Sequence, residues 1–133
     1  MLKKSIFTIA FISWMVFITL LSLFSFSEDD LPDIELPFMD KLVHFIFYFM
    51  AAVLGALFIR ERTQGKNDMK KSILIIVIAV VLYGIVIEVV QSELTVDREG
   101  DVFDAIANTL GALVGALAIK LAFSGKRQLK WKN

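Results

Sequence analysis

The chain has no cysteine, two prolines, one histidine and no low-complexity stretch in 133 residues. Lack of cysteine removes disulfides and thiolate chemistry, without naming a compartment. So few prolines leave no flexible linker that would divide the chain. A single histidine excludes the multi-histidine zinc arrangements, so a metal site would have to be carboxylate-rich; no dedicated metal-ligand set and no cofactor is assigned. No serine or cysteine nucleophile motif is present, and catalytic residues are left unassigned. Nor is one sign of charge in excess. Lysine plus arginine and aspartate plus glutamate stand at 14 each, which points to no nucleic-acid partner.

What the sequence has is hydrocarbon: 57% of the residues are hydrophobic, gathered in four long apolar stretches between charged segments. The reading is an all-α integral membrane protein, a four-helix transmembrane bundle in one domain over residues 1–133. The helices are predicted at about 5–27, 41–59, 72–91 and 101–123.

Met1 to Lys4 is a basic start, followed by 23 uncharged residues from Ser5 to Ser27. Ser25 and Ser27 loosely resemble a signal-peptide cleavage site, but the apolar part exceeds the ~7–15 residues usual there, so a retained first helix is expected, with Trp14 well inside it. Glu28 to Asp40 is acidic, holds both prolines, Pro32 and Pro37, and reads as a loop. Leu42 to Ile59 is uncharged and forms the second helix. The connection Arg60 to Lys71 is rich in lysine and arginine, and Gly65 and Asn67 supply its turn chemistry. Ser92 to Gly100 is a second acidic loop, and a tail with Lys126, Arg127, Lys130 and Lys132 is basic. Lysines and arginines of short loops stay on the cytoplasmic side, and apart from Lys41 and Arg98 the loop ones lie in the N-terminus, the 60–71 connection and the tail. Both termini are therefore predicted to be cytoplasmic and the acidic loops external, in a multi-pass protein of a cytoplasmic membrane.

The stretch from Glu88 to Asn108 organises the rest. The apolar run before it, Ser72 to Ile87, has 16 residues, and the run after Asp104, Ala105 to Ile119, has 15. A bilayer core ~30 Å thick needs roughly 20 helical residues at ~1.5 Å each. To span, each run must draw in its polar flank, which puts Glu88 and Asp104 at or just inside one boundary. With the start of the second helix, three segments bring Asp40, Lys41, His44, Glu88, Gln91, Arg98, Asp101 and Asp104 to one depth.

Helical spacing refines the set. Asp40, His44 and Tyr48 share a face of the second helix, and Gly84, Glu88 and Gln91 share one on the third. Asp101, Asp104, Asn108, Gly111 and Gly115 form a stripe on the fourth, polar at one end and small at the other. Gly111 and Gly115 are a GxxxG pair, and Gly55 with Ala51, Ala52 and Ala56 gives the second helix a similar surface. Helices two to four are read as a tight core with helix one on its flank. Plainer roles exist for most of these residues. Asp40 and Asp101 suit helix N-caps, and Asp104 suits the positive end of a helix dipole. Tyr48 suits an interhelical hydrogen bond, and Arg98 a solvated loop charge. Glu88 does not fit such a role, because it sits near a helix C-terminus beside an apolar run, where both dipole and lipid disfavour an anion. It requires a partner or a proton, and Lys41, His44 and Arg98 are the candidate partners at its depth.

These residues, DKLVHFIFYFMAA at 40–52, E-x-x-Q at 88–91 and R-x-x-D-x-x-D-x-x-x-N-x-x-G-x-x-x-G from Arg98 to Gly115, resemble the VanZ-like family over helices two to four. That family comprises small bacterial membrane proteins, named for an accessory protein that lowers susceptibility to the lipoglycopeptide teicoplanin. The resemblance carries over Asp40, Lys41, His44, Glu88, Gln91, Arg98, Asp101, Asp104, Asn108 and Gly111 as motif positions. It implies a cell-envelope protein with a polar outer-leaflet site, whose partners are membrane lipids and an amphiphilic glycopeptide or lipid-linked cell-wall ligand. Two alternatives stand beside ligand binding. One is a membrane-embedded hydrolase or transferase, with His44 and Glu88 as acid and base and Asp101 with Asp104 on a divalent cation. The other is a structural partner of another membrane protein.

Overall fold

The computed structural model describes residues 5–23, 39–94 and 102–124, and within these the side chains of residues 39, 40, 94 and 124 are not described. The described chain is all helical: α1 Ile6–Leu23, α2 Met39–Thr63, α3 Met69–Leu94 and α4 Val102–Ser124. Each is long and apolar enough to cross a membrane. The expected loops before Met39 and after Leu94, the possible cleavage site at Ser25 and Ser27, and the basic start and tail lie outside the described residues.

Helix bounds differ from the hydropathy reading mainly at the basic end. α2 continues past Ile59 to Thr63 and α3 begins at Met69, so the polar connection shrinks to residues 64–68. Intrahelical bonding satisfies backbone groups through the membrane boundary, and a polar side chain there can stay in the helix. α2 closes in a Schellman motif: Gly65 N–H donates to Arg60 O at 2.9 Å and Gln64 N–H to Glu61 O. Gln64 and Gly65 take φ of 56° and 69°, which Gly65 adopts without steric cost. Asp68 then caps α3, its Oδ1 accepting from Lys70 N–H at 3.1 Å.

Packing is inverted relative to a water-soluble bundle. Leu74, Ile78, Leu82, Val86, Leu110, Leu113 and Leu117 are exposed, whereas His44, Glu88, Gln91, Asp104 and Asn108 are buried. Turning large apolar side chains outward, and the ionisable ones in among a core of small and apolar residues, is the arrangement lipid demands, and the protein is a multi-pass membrane protein.

α2 and α4 run parallel and share the most extensive interface. Small residues make the approach possible: Ala51, Ala52, Ala56 and Ala112 are fully buried. A Cβ on Gly111 would lie 2.2 Å from the Phe45 carbonyl oxygen, and one on Gly115 would lie 2.6 Å from that of Phe49. Only a hydrogen fits at these two seats. Gly55 receives the Ile76 side chain of α3, and Gly84 receives the ring of Tyr48.

α1 lies on the flank of this core, as expected, but is fixed by polar contacts. The Glu61 carboxylate accepts from Phe7 N–H and Thr8 N–H, each at 3.0 Å, and from Thr8 Oγ1 at 2.7 Å. It thus serves as an N-cap supplied by a different helix. Farther along, the Trp14 indole donates to Phe47 O at 2.9 Å. Thr19 and Tyr83 hydroxyls bond to each other.

Candidate functional site

The buried polar side chains of α2, α3 and α4 meet at one end of the bundle, where α2 and α4 begin and α3 ends. The parallel α2–α4 pairing brings them together in register: Lys41 meets Asp104, His44 meets Asn108, Phe45 receives Gly111, and Phe49 receives Gly115. Lys41 Nζ donates to Asp104 Oδ1 at 2.6 Å, a charge-assisted bond at the rim: the lysine side chain is 32% exposed and the aspartate 11%. His44 lies deeper. Its Nδ1 is 3.0 Å from Asn108 Oδ1, and its Nε2 is 3.5 Å from Asp104 Oδ2.

Glu88 enters from α3, with Oε1 3.9 Å from His44 Nδ1. Of the three partners expected for Glu88, His44 is thus a neighbour, Lys41 bonds to Asp104, and Arg98 lies outside the described residues. Asn108, 2% exposed, presents Oδ1 to the histidine; among the described residues its Nδ2 has no hydrogen-bond partner.

Other sequence-predicted members are distributed around this centre. Tyr48 is one turn deeper on α2 and belongs to the apolar core, with its ring against Gly84. Gln91 is buried but turns its amide to α1, where Nε2 donates to Ser22 O at 2.6 Å. That bond ties α1 to the polar end. The side chain of Asp40 is not described, and Arg98 and Asp101 lie outside the described residues.

The contributions of Ser22 and Glu61 were not legible in the sequence. Ser22 acts through its backbone carbonyl, which carries no residue signal. Glu61 stands at the end of an apolar run and reads as a solvated connection charge, and Ser5 before Ile6 already offers α1 a local cap, so nothing points across the bundle.

Chemically, the cluster sets an imidazole beside two carboxylates and a carboxamide, with an ammonium at the mouth. It can hold a proton or a cation between oxygen and nitrogen atoms, and its mouth is the Lys41–Asp104 ion pair. His44, Glu88 and Asp104 each offer one ligand atom, all within 4.8 Å of one another. An apolar groove of about 220 Å³ lies on the lipid side of α1 and α3, lined by Met15, Val16, Thr19, Leu20 and Tyr83. Along α1 it ends at Leu20, two residues before Ser22.

A model of the VanZ/LLP1 family matches residues 3–123, which covers all four helices and every described residue of the cluster. No curated protein and no solved structure matches the chain.

Proposed function

The chain belongs to the VanZ/LLP1 family, and from that premise we propose that it is a bacterial cell-envelope protein of the cytoplasmic membrane that binds the polar head of an amphiphilic or lipid-linked ligand and contributes to lipoglycopeptide tolerance. One observation carries the reading: a partly exposed lysine forms the mouth of a buried polar cluster on a protein whose helices turn large apolar side chains outward. Such a mouth, an ammonium beside a carboxylate, favours a zwitterionic or polyhydroxylated head at membrane depth, where hydrogen-bonding partners are scarce. The groove between α1 and α3 supports a place for an acyl tail.

Orientation follows from charge. Arg60, Arg62, Lys66, Lys70 and Lys71 mark the opposite end of the bundle as cytoplasmic, so the cluster faces outward. Single cysteines are simple to interpret in a chain with none. An impermeant thiol reagent applied to intact cells should label a cysteine at position 30 and spare one at position 66; the reverse pattern refutes the orientation.

Function is tested by inhibitory concentrations of a lipid-tailed and an untailed glycopeptide, in cells making the wild type, Glu88→Gln, or no protein. The wild type should protect more against the tailed drug, and Glu88→Gln, made at the same level, should not protect. Persistent protection in the variant, or equal protection against both drugs, would replace ligand capture by a general envelope effect.

The placement of His44 between two carboxylates favours a second reading, acid–base catalysis on a lipid-linked cell-wall component. Titrating expression separates the two. Stoichiometric capture gives protection proportional to protein level, whereas catalytic turnover gives full protection at low copy number.

A further inference from the structure

The three residues His44, Glu88 and Asp104 come from three different helices, are all buried, and each brings one potential ligand atom within 4.8 Å of the others. We propose that they form a site for one divalent transition-metal cation, with zinc the best-suited ion. The proposal concerns the cluster itself and does not depend on capture of an amphiphile.

Geometry first separates a metal from a proton. His44 Nε2 and Asp104 Oδ2 are 3.5 Å apart. A proton shared between imidazolium and carboxylate draws the heavy atoms to about 2.7–2.9 Å. Two ligands on one zinc, each ~2.0–2.1 Å from it in a tetrahedral arrangement, are about 3.3–3.4 Å apart. That separation suits two ligands of one metal; Glu88, whose Oε1 is 3.9 Å from Nδ1, must turn its carboxylate toward Nε2 to join them.

The surroundings orient the ligands as metal sites require. A metal-bound histidine typically donates its other N–H to an oxygen, which fixes the tautomer. Asn108 Oδ1, 3.0 Å from Nδ1, is such an acceptor and leaves the Nε2 lone pair toward Asp104. Lys41 does the equivalent for the aspartate: it holds Oδ1 at 2.6 Å and leaves Oδ2 for the metal. Each of these two ligands is thus positioned by a partner that is not itself a ligand.

Charge agrees. With neutral His44, the group Lys41, Glu88 and Asp104 carries a net charge of −1 inside a hydrocarbon environment, an expense that a cation relieves. One nitrogen and two carboxylate oxygens suit zinc, with a position left open for water or a ligand oxygen. A hard ion such as Mg²⁺ prefers all-oxygen octahedral sites and should bind more weakly.

The test uses tag-free full-length protein in detergent, stripped with chelator, because His44 is the only histidine and a polyhistidine tag would mask it. After equilibration with micromolar Zn²⁺ and desalting, the wild type should retain about one zinc per chain and melt at a higher temperature than the stripped protein. Mg²⁺ should do neither. Glu88→Gln, near-isosteric, should lose at least nine-tenths of the zinc, whereas Glu93→Gln, exposed on the same helix, should keep it. Asn108→Ala should weaken zinc binding about 10–100-fold, as loss of an orienting partner does.

Should Glu88→Gln fail to fold, the wild type still decides. Selective isotope labelling of histidine gives the imidazole of His44 alone, and zinc should move its nitrogen resonances to those of an Nε2-bound ring. No retained zinc, equal retention in wild type and Glu88→Gln, or an imidazole unmoved by zinc overturns the metal site. None of these results alters the glycopeptide comparison above, so the two ideas fail separately.

Discussion

Gly111→Ala should lower the stability of the bundle by ~3 kcal/mol, the upper part of the range for overpacking a well-packed interface. The reason is where the new methyl would go. Its carbon would meet the Phe45 carbonyl oxygen at 2.2 Å and the Phe45 carbonyl carbon at 3.0 Å, and both belong to the backbone of α2. A flexible side chain could swing aside; a helix backbone moves only as a unit. α2 and α4 must therefore separate, and the separation also pulls Lys41 from Asp104 and His44 from Asn108, which belong to the same register. Leu110→Ala, one position earlier on the same helix but exposed to lipid, should change stability by less than ~0.5 kcal/mol. Thermal unfolding in detergent compares the two, and a Gly111→Ala protein that melts with the wild type would show that α2 and α4 are not this close.

Removing one side of the Lys41–Asp104 pair should come close behind. Truncating a partner of a buried pair typically costs ~3–5 kcal/mol, because the remaining charge is left without compensation. Lys41 is about a third exposed, and water at the boundary will relieve part of that, so we expect ~3 kcal/mol for Asp104→Ala in chelator-treated protein. The loss has a second source in His44, whose Nε2 faces the same carboxylate. Asp68→Ala is the informative control, since Asp68 caps α3 in an exposed setting and its loss should cost only ~1 kcal/mol. Adding Lys41→Met to Asp104→Ala should recover part of the stability, because the stranded ammonium is then gone. Equal destabilisation by Asp104→Ala and Asp68→Ala would remove the basis for a buried pair.

Much of this could be read before the fold was known, for identifiable reasons. Hydrocarbon thickness sets a length scale, so four spans were legible from apolar runs alone. The stripe Asp104, Asn108, Gly111, Gly115 was legible because residues three and four apart share a helix face, and all four of its members do meet α2.

Gln91 shows where such reasoning stops. Three residues on from Glu88, it is turned about 60° around α3, close enough to count as the same face. Yet Glu88 is near His44 of α2 while Gln91 bonds to Ser22 of α1, because the boundary between two packed neighbours falls between them. Periodicity gives the rotation of a residue about its own axis and says nothing of where the next helix stands. The same limit hid Glu61, whose charge closes the first turn of α1 across the bundle. It also left open which cation Glu88 or Asp104 would take.

The parallel contact of α2 with α4 also bears on the order of assembly, since α3 lies between them in the chain. As synthesis proceeds, α2 and α3 enter the bilayer with His44 and Glu88 but without Asp104, Asn108 or the glycine seats of α4. In that interval two ionisable side chains face each other beside lipid, an expensive state to maintain. Arrival of α4 relieves it by supplying the pair for Lys41, the amide for His44 and the close backbone seats for α2 in one docking step. Closure of the bundle and completion of the site therefore both wait on α4, and a nascent chain that has not docked α4 has neither.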